Sequence, residues 1–225
     1  MTIKDTKHWS HKSEAAKDEV RDAVEEAVDW VLARRQQAAY TAAGAAAVVL
    51  ILALFLYQRR ANVNAAWDKL SQAELYAYSG RPQDAQELLT QAEGGASPAA
   101  AALARMLEGD LHYPHGEYDQ ALAAYDKAAA EAPEALRPFA QAERVMTLEA
   151  AGKAADCAAA AQAFLDANPE HLLAAQVHTS LARCQLAQGQ ADAAKATLQR
   201  ISLQYPNTPW AEWAAYRLQA PAPSK

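Results

Sequence analysis

ALARMLEGDLHYPHGEYDQALAAYDKAAAEAP, residues 102–133, carries the punctuation that decides how this 225-residue chain folds. Gly116 stands between two alanine-rich segments and Pro133 closes the second. Gly109 and Ala121 are small residues placed seven before and five after that central glycine. The same marks recur on both sides. Gly80, Gly116, Gly152 and Gly189 are spaced by 36, 36 and 37 residues. Pro133, Pro169 and Pro206 each fall 17 residues after a glycine, and Pro98 falls 18 after Gly80. Ala85, Cys157 and Ala194 repeat the position of Ala121, while Ala73, Val145 and Ala182 repeat that of Gly109. A period of this length with such punctuation predicts stacked helical hairpins. Glycine permits the tight turn after each first helix, and proline follows each second helix, which it cannot continue. The small residues let the two helices of a hairpin approach closely.

Residues Gly109, Tyr113, Gly116, Tyr118, Ala121, Tyr125, Ala128 and Pro133 resemble the signature of the tetratricopeptide repeat. The other units match more loosely, and the third has Arg144 where that family usually has leucine. The resemblance covers Ala61 to about Pro206, and a helix over Pro209–Gln219 can close the stack through Trp210, Trp213, Tyr216 and Leu218. Residues 205–212, YPNTPWAE, resemble the inter-repeat turns of bacterial cell-envelope repeat proteins. The family's geometry implies that first helices line a concave wall, with inward positions 13, 10, 6, 3 and 2 residues before each turn glycine. Trp67, Leu70, Tyr78, Leu103, Met106, Tyr113, Phe139 and Met146 are thereby the candidate groove residues, with Glu74, Asp110 and Glu149 as acidic spots. The fourth unit adds Gln176, Thr179, Arg183, Leu186 and Ala187. The alternative for each is plain packing between helices. The Lys/Asn/Arg set with which some repeat domains clamp a terminal carboxylate is missing; flexible methionines beside aromatics suit varied apolar segments.

Upstream lies a stretch of another kind. Ala38–Tyr57 holds 20 residues without a charge, between Arg34-Arg35 and Arg59-Arg60. At about 1.5 Å per residue it matches the roughly 30 Å of a bilayer's hydrocarbon core, with Tyr40 and Tyr57 at its ends. It begins late for a secretory signal and arginines follow it, so the expectation is an uncleaved single-pass anchor. Residues 1–12 are polar. From Ser13, Val20, Val24, Val28, Val31 and Leu32 recur at steps that predict an amphipathic helix running unbroken into the anchor. That helix suits either a docking partner or the lipid headgroups. The expected divisions are therefore 1–37, tail with amphipathic helix; 38–57, transmembrane helix; and 61–225, repeat domain. The expected fold is all-α: one transmembrane helix, then an α-solenoid of about four tetratricopeptide-like hairpins with a C-terminal capping helix.

Composition narrows function. Residues 61–225 carry 12 Lys/Arg against 19 Asp/Glu, a net charge of −7 with few clustered bases, which gives nucleic acid nothing to bind. No Gly-rich phosphate loop, GxSxG, HExxH or EF-hand loop is present, so neither catalysis, a cofactor nor a small-molecule substrate is expected. His8 with His11, and His112 with His115, could be imagined as metal ligands, but solvated residues are the better reading and no metal site is expected. Cys157 and Cys184 form no CxxC or zinc spacing. They fall near the turn end of neighbouring helices, where a bridge would close a loop of 27 residues. Cys157 also occupies the small-residue position inside its own hairpin, and on that ground two buried thiols are expected instead.

Amphipathic tail, single anchor and small-residue-rich repeats together resemble the YfgM-like family, ancillary subunits of the bacterial SecYEG translocon. That resemblance implies a bacterial inner-membrane protein with a cytoplasmic N-terminus and periplasmic repeats. Its implied partners are translocon subunits, periplasmic chaperones or unfolded clients. Seven Lys/Arg in the tail lean the same way. The alternative is a structural scaffold that assembles one specific envelope or respiratory membrane complex.

Overall fold

The computed structural model describes residues 21–219 apart from Val31. The polar stretch 1–12, the helix start at Ser13 with Val20, and Val31 lie outside the described residues. Among the described residues all regular structure is helical and no strand occurs. The chain divides into two units, 1–58 and 59–225.

In the first unit residues 21–30 are helical, with Val24, Val28 and Trp30 exposed. A turn at Arg34 interrupts the expected unbroken run into the apolar stretch. Helical hydrogen bonding nevertheless persists across it, from Arg34 N to Trp30 O at 3.1 Å and from Ala38 N to Arg34 O at 2.9 Å. Helix α1 then spans Arg35–Tyr78 and contains a segment long and apolar enough to cross a membrane. Val48 to Leu52 and Leu54 to Tyr57 are all exposed, leaving no buried face along that segment.

The second unit takes the end of α1 and eight further helices: α2 (Pro82–Glu93), α3 (Pro98–His112), α4 (Tyr118–Glu131), α5 (Arg137–Ala150), α6 (Ala154–Ala167), α7 (Ala174–Ala187), α8 (Ala191–Gln204) and α9 (Pro209–Gln219). From α2 onward each helix packs on the next, and α5 also packs on α7, so first helices of adjacent hairpins touch. Gly80, Gly116, Gly152 and Gly189 all hold φ between 69° and 75°. Only glycine enters this left-handed region without penalty, which is why the spacing of these residues marks the turns. Pro98 departs from its expected role. It opens α3 instead of ending α2, behind Ser97, whose Oγ accepts from Ala100 N at 3.2 Å.

The eight small or modest positions are all buried: Ala73, Gly109, Val145 and Ala182 on first helices, Ala85, Ala121, Cys157 and Ala194 on second helices. Ala73, Val145, Cys157 and Ala182 sit within a chain of apolar clusters. Leu70, Leu89 and Ala104 belong to one, Val145, Phe164 and Val177 to the next, and Leu198, Ile201 and Ala214 to the last. Polar contacts span neighbouring hairpins about one repeat apart. Lys153 Nζ donates to Asp119 at 2.7 Å and Gln188 Nε2 to Ala154 O at 2.9 Å. Arg144, the residue out of pattern, uses its guanidinium to reach Asp126 on α4.

The cysteines correct the expectation of two thiols. Cys157 on α6 and Cys184 on α7 form a disulfide, with alpha carbons 6.2 Å apart. Burial inside the hairpin and bridging to the next unit are compatible here because α6 is packed between α5 and α7. The residue that faces its own hairpin partner therefore also borders the following helix.

Candidate partner-binding cleft

First helices of the later hairpins and the closing helix surround a cleft of about 490 Å3. Tyr113 contributes from the second hairpin, Met146 and Glu149 from α5, Gln176, Thr179 and Arg183 from α7, and Trp210 and Trp213 from α9. Several of these side chains are held in place by their neighbours. Pro114 gives the end of the second hairpin's first helix a tight 3₁₀ turn that carries Tyr113, whose ring meets Tyr118 edge-on at 5.6 Å. Gln176 Nε2 contacts the Met146 sulfur. Arg183 Nη1 lies 3.2 Å from Glu149, and its guanidinium sits 5.0 Å over the Trp213 ring. Tyr113 and Trp210 stay open to solvent, at 38% and 36% exposure.

The eight residues expected in a groove are divided by the structure. Tyr113 and Met146 come together in the cleft. Leu70 is only 3% exposed and lies in the core of the first hairpin, where it has no free surface to offer. Leu103 packs partly buried against that same core. Met106 is half-buried, and Phe139 meets His171 edge-on at 5.0 Å. Trp67 and Tyr78 are exposed on α1 and do not line the cleft. Ala142, inward by the same phase, is fully buried. Trp210 and Trp213 escape a sequence reading that gives them one task, capping; the surplus of aromatics on so short a helix is the available signal.

Electrostatics around the cleft are set by burial. Tyr125 Oη donates to Asp110 Oδ1 at 2.6 Å, and loss of solvent raises the Asp110 carboxyl against that bond. Burial, helped by the Asp110 charge, pushes Glu143 up to about 7. Desolvation raises the Tyr113 phenol, with further contributions from Tyr118, Glu149 and Glu143. Among the described residues no group of three His, Cys, Asp or Glu is placed to hold a metal. His112 is engaged instead with Glu117, Nδ1 to Oε2 at 2.6 Å. Rings, a thioether and amides around an open cleft can hold an extended polypeptide.

Behind the cleft, His178 on α7 is buried with no partner for Nδ1. Burial, then the nearby Arg200 charge, lowers its pKa to about 4. Below an unfolded value near 6.5 the unfolded chain takes up a proton that the folded one refuses, so this group's stability is full above pH 6.5 and declines toward pH 4. The loss is at most about 3 kcal/mol. Glu143, raised, acts in the opposite sense over pH 4.5–7. The difference between wild type and His178→Gln in chemical melts from pH 4 to 8 isolates the histidine, and the variant is expected to lose the acid-side decline.

Residues 148–219 match the family model of the tetratricopeptide repeat. No curated protein sequence matches the chain. Among solved structures, the chain is similar to a Podosopora anserina putative kinesin light chain with nearly identical TPR-like repeats, at 18% identity and a TM-score of 0.53, covering 67% of this chain and 82% of that one. A second crystal structure, of a variant form of that protein, gives 18% identity and a TM-score of 0.55, covering 70% of this chain and 84% of that one. At such identity the likeness establishes the fold. Residues 148–219 thus carry the tetratricopeptide repeat, within a stack of helical hairpins of that fold, and such repeats engage protein partners.

Proposed function

We propose that this tetratricopeptide-repeat protein is held in a membrane by one pass through residues 38–57 and uses its cleft to dock protein partners outside the cytoplasm. The cleft carries the reading. It joins three exposed or half-buried aromatics, Tyr113, Trp210 and Trp213, with Met146 on an open surface; Trp213 also packs partly on the last core cluster, whereas Tyr113 and Trp210 are exposed. The uncharged, fully exposed run on α1 supports the anchor, and the Cys157–Cys184 disulfide supports an oxidising compartment for the repeats. Together with the seven Lys/Arg of the short tail, a weak lean because the charges flanking the span are balanced, these favour a cytoplasmic N-terminus and periplasmic repeats. The specific role that fits is an ancillary factor at the translocon, passing emerging clients to periplasmic chaperones.

Capture from gently solubilised membranes, with the full chain as bait, tests this role. Translocon subunits and chaperones are the expected catch. Recovery of one unrelated complex, with no unfolded clients, would favour a dedicated scaffold.

A further inference from the structure

A covalent tie lies against the wall of the cleft. The chain has two cysteines, and their bridge joins α6 of the third hairpin to α7 of the fourth. The cleft opens across that same junction. Met146 and Glu149 line it from α5, and Gln176, Thr179, Ser180 and Arg183 from α7. Bridge and wall share the backbone of α7: Cys157 Sγ lies 3.9 Å from Ser180 O, and Cys184 directly follows Arg183. Both cysteines are buried in the core cluster that holds Val145 and Val177. On the cleft side the contacts between α5 and α7 are weaker. Arg183 reaches Glu149 at 3.2 Å, an exposed ion pair of the kind that adds little, and Gln176 Nε2 meets the Met146 sulfur. The two earlier junctions have no covalent tie. Ala85 with Leu111, and Ala121 with Thr147, stand at the places of Cys157 and Cys184. The stack therefore does without a bridge elsewhere and has one where the cleft crosses from hairpin to hairpin.

We propose that the Cys157–Cys184 bridge is a positioning device for partner docking. It fixes α7 against the third hairpin and so sets the wall to which Ser180 and Arg183 belong. This rests on the docking reading above and names what conditions that site. With the bridge open the helices persist, since alanine fills the place of Cys157 in the other hairpins. The α7 wall is then free to shift, and a partner has to order it on binding. Docking is thereby confined to the oxidised chain. Closing the bridge takes two electrons and two protons from the thiols, and a disulfide oxidant receives them as it becomes two thiols.

A fluorescein-labelled, end-capped peptide of Leu, Phe and Gln is the probe, uncharged because Glu149 and Arg183 already pair with each other. It is titrated against the full chain in zwitterionic nanodiscs, with empty nanodiscs subtracted, at about 10 °C to keep every variant folded. Cys157→Ala with Cys184→Ala is expected to bind about tenfold more weakly than wild type, with unchanged helix content. Leu89→Ala, in the core of the first hairpin, lowers the melting temperature comparably and is expected to bind as wild type does. That pair separates position from stability. Should the alanine pair fold poorly, wild type opened in urea with a phosphine and refolded gives the comparison within one sequence. Its reduced form should show the same tenfold loss, and glutathione disulfide should restore the affinity. Undiminished binding without the bridge, or an equal loss in Leu89→Ala, would overturn the positioning role and leave docking in the cleft standing. Failure of wild type to bind would instead strike the docking reading, and this proposal with it.

Discussion

Cys157→Ala with Cys184→Ala is expected to cost about 3.5 kcal/mol, the chain-entropy value for a closed loop of this length. The loop spans 27 residues. Alanine is the informative replacement because Ala85, Ala121 and Ala194 occupy the position of Cys157 in the other hairpins, all fully buried. At Cys157 the loss therefore reports the bridge and not a packing defect; at the buried Cys184 only the small volume of the lost sulfur adds to it. In thermal melts of the full chain in nanodiscs the midpoint should fall by on the order of 10 °C. Neither cysteine has appreciable exposure, so reductant should have little effect until the stack opens. Protein alkylated without reductant, even after denaturation, should carry no label at either cysteine. A shift under about 2 °C would mean the bridge does not hold the third and fourth hairpins together.

Gly109→Ala is the second large effect, and its cause is steric. A β-carbon added there would stand 2.5 Å from both Cε1 and Cζ of Tyr125. That ring is 1% exposed and its hydroxyl is tied to Asp110, so it cannot swing aside without breaking a partly buried, charge-assisted bond. Alanine gains up to about 1 kcal/mol of helix propensity. Overpacking and the disturbed hydrogen bond outweigh that gain, for a net loss of about 2–3 kcal/mol. Removing the obstacle with Tyr125→Leu should make the double variant less unstable than the sum of the two single changes. Simple additivity in denaturant melts would show that the close approach is not what the glycine provides.

Both effects fall where the repeat punctuation is densest, and that explains how much of the fold is legible in the sequence. The turn glycines are readable because a left-handed turn admits little else, and the small positions because two helices cannot otherwise meet at that distance. Pro98 misleads because proline is tolerated at a helix's first turn as readily as just past its last. The cleft is legible only in part. Phase along a first helix predicts that Tyr113, Met146, Glu149 and Arg183 share a wall, as they do. Phase alone does not separate Leu70 and Ala142, which the adjoining helices cover, from residues left open. Nor does it show that α9 turns Trp210 and Trp213 toward that wall, because this depends on how the final hairpin ends. Asn207, with a left-handed φ of 61°, lies in the turn that sets this direction.

Three side chains that line the cleft, Tyr113, Met146 and Trp210, give the most direct test of the central claim. The full chain carrying Tyr113→Ala, Met146→Ala and Trp210→Ala should be used beside wild type as bait in the membrane capture. Its helix content and melting should stay near wild type, since none of the three lies in the fully buried core. Partner recovery should drop by about tenfold or more, as expected when aromatic anchors are truncated. Undiminished recovery by the folded triple variant would contradict the account and place the docking surface elsewhere on the chain.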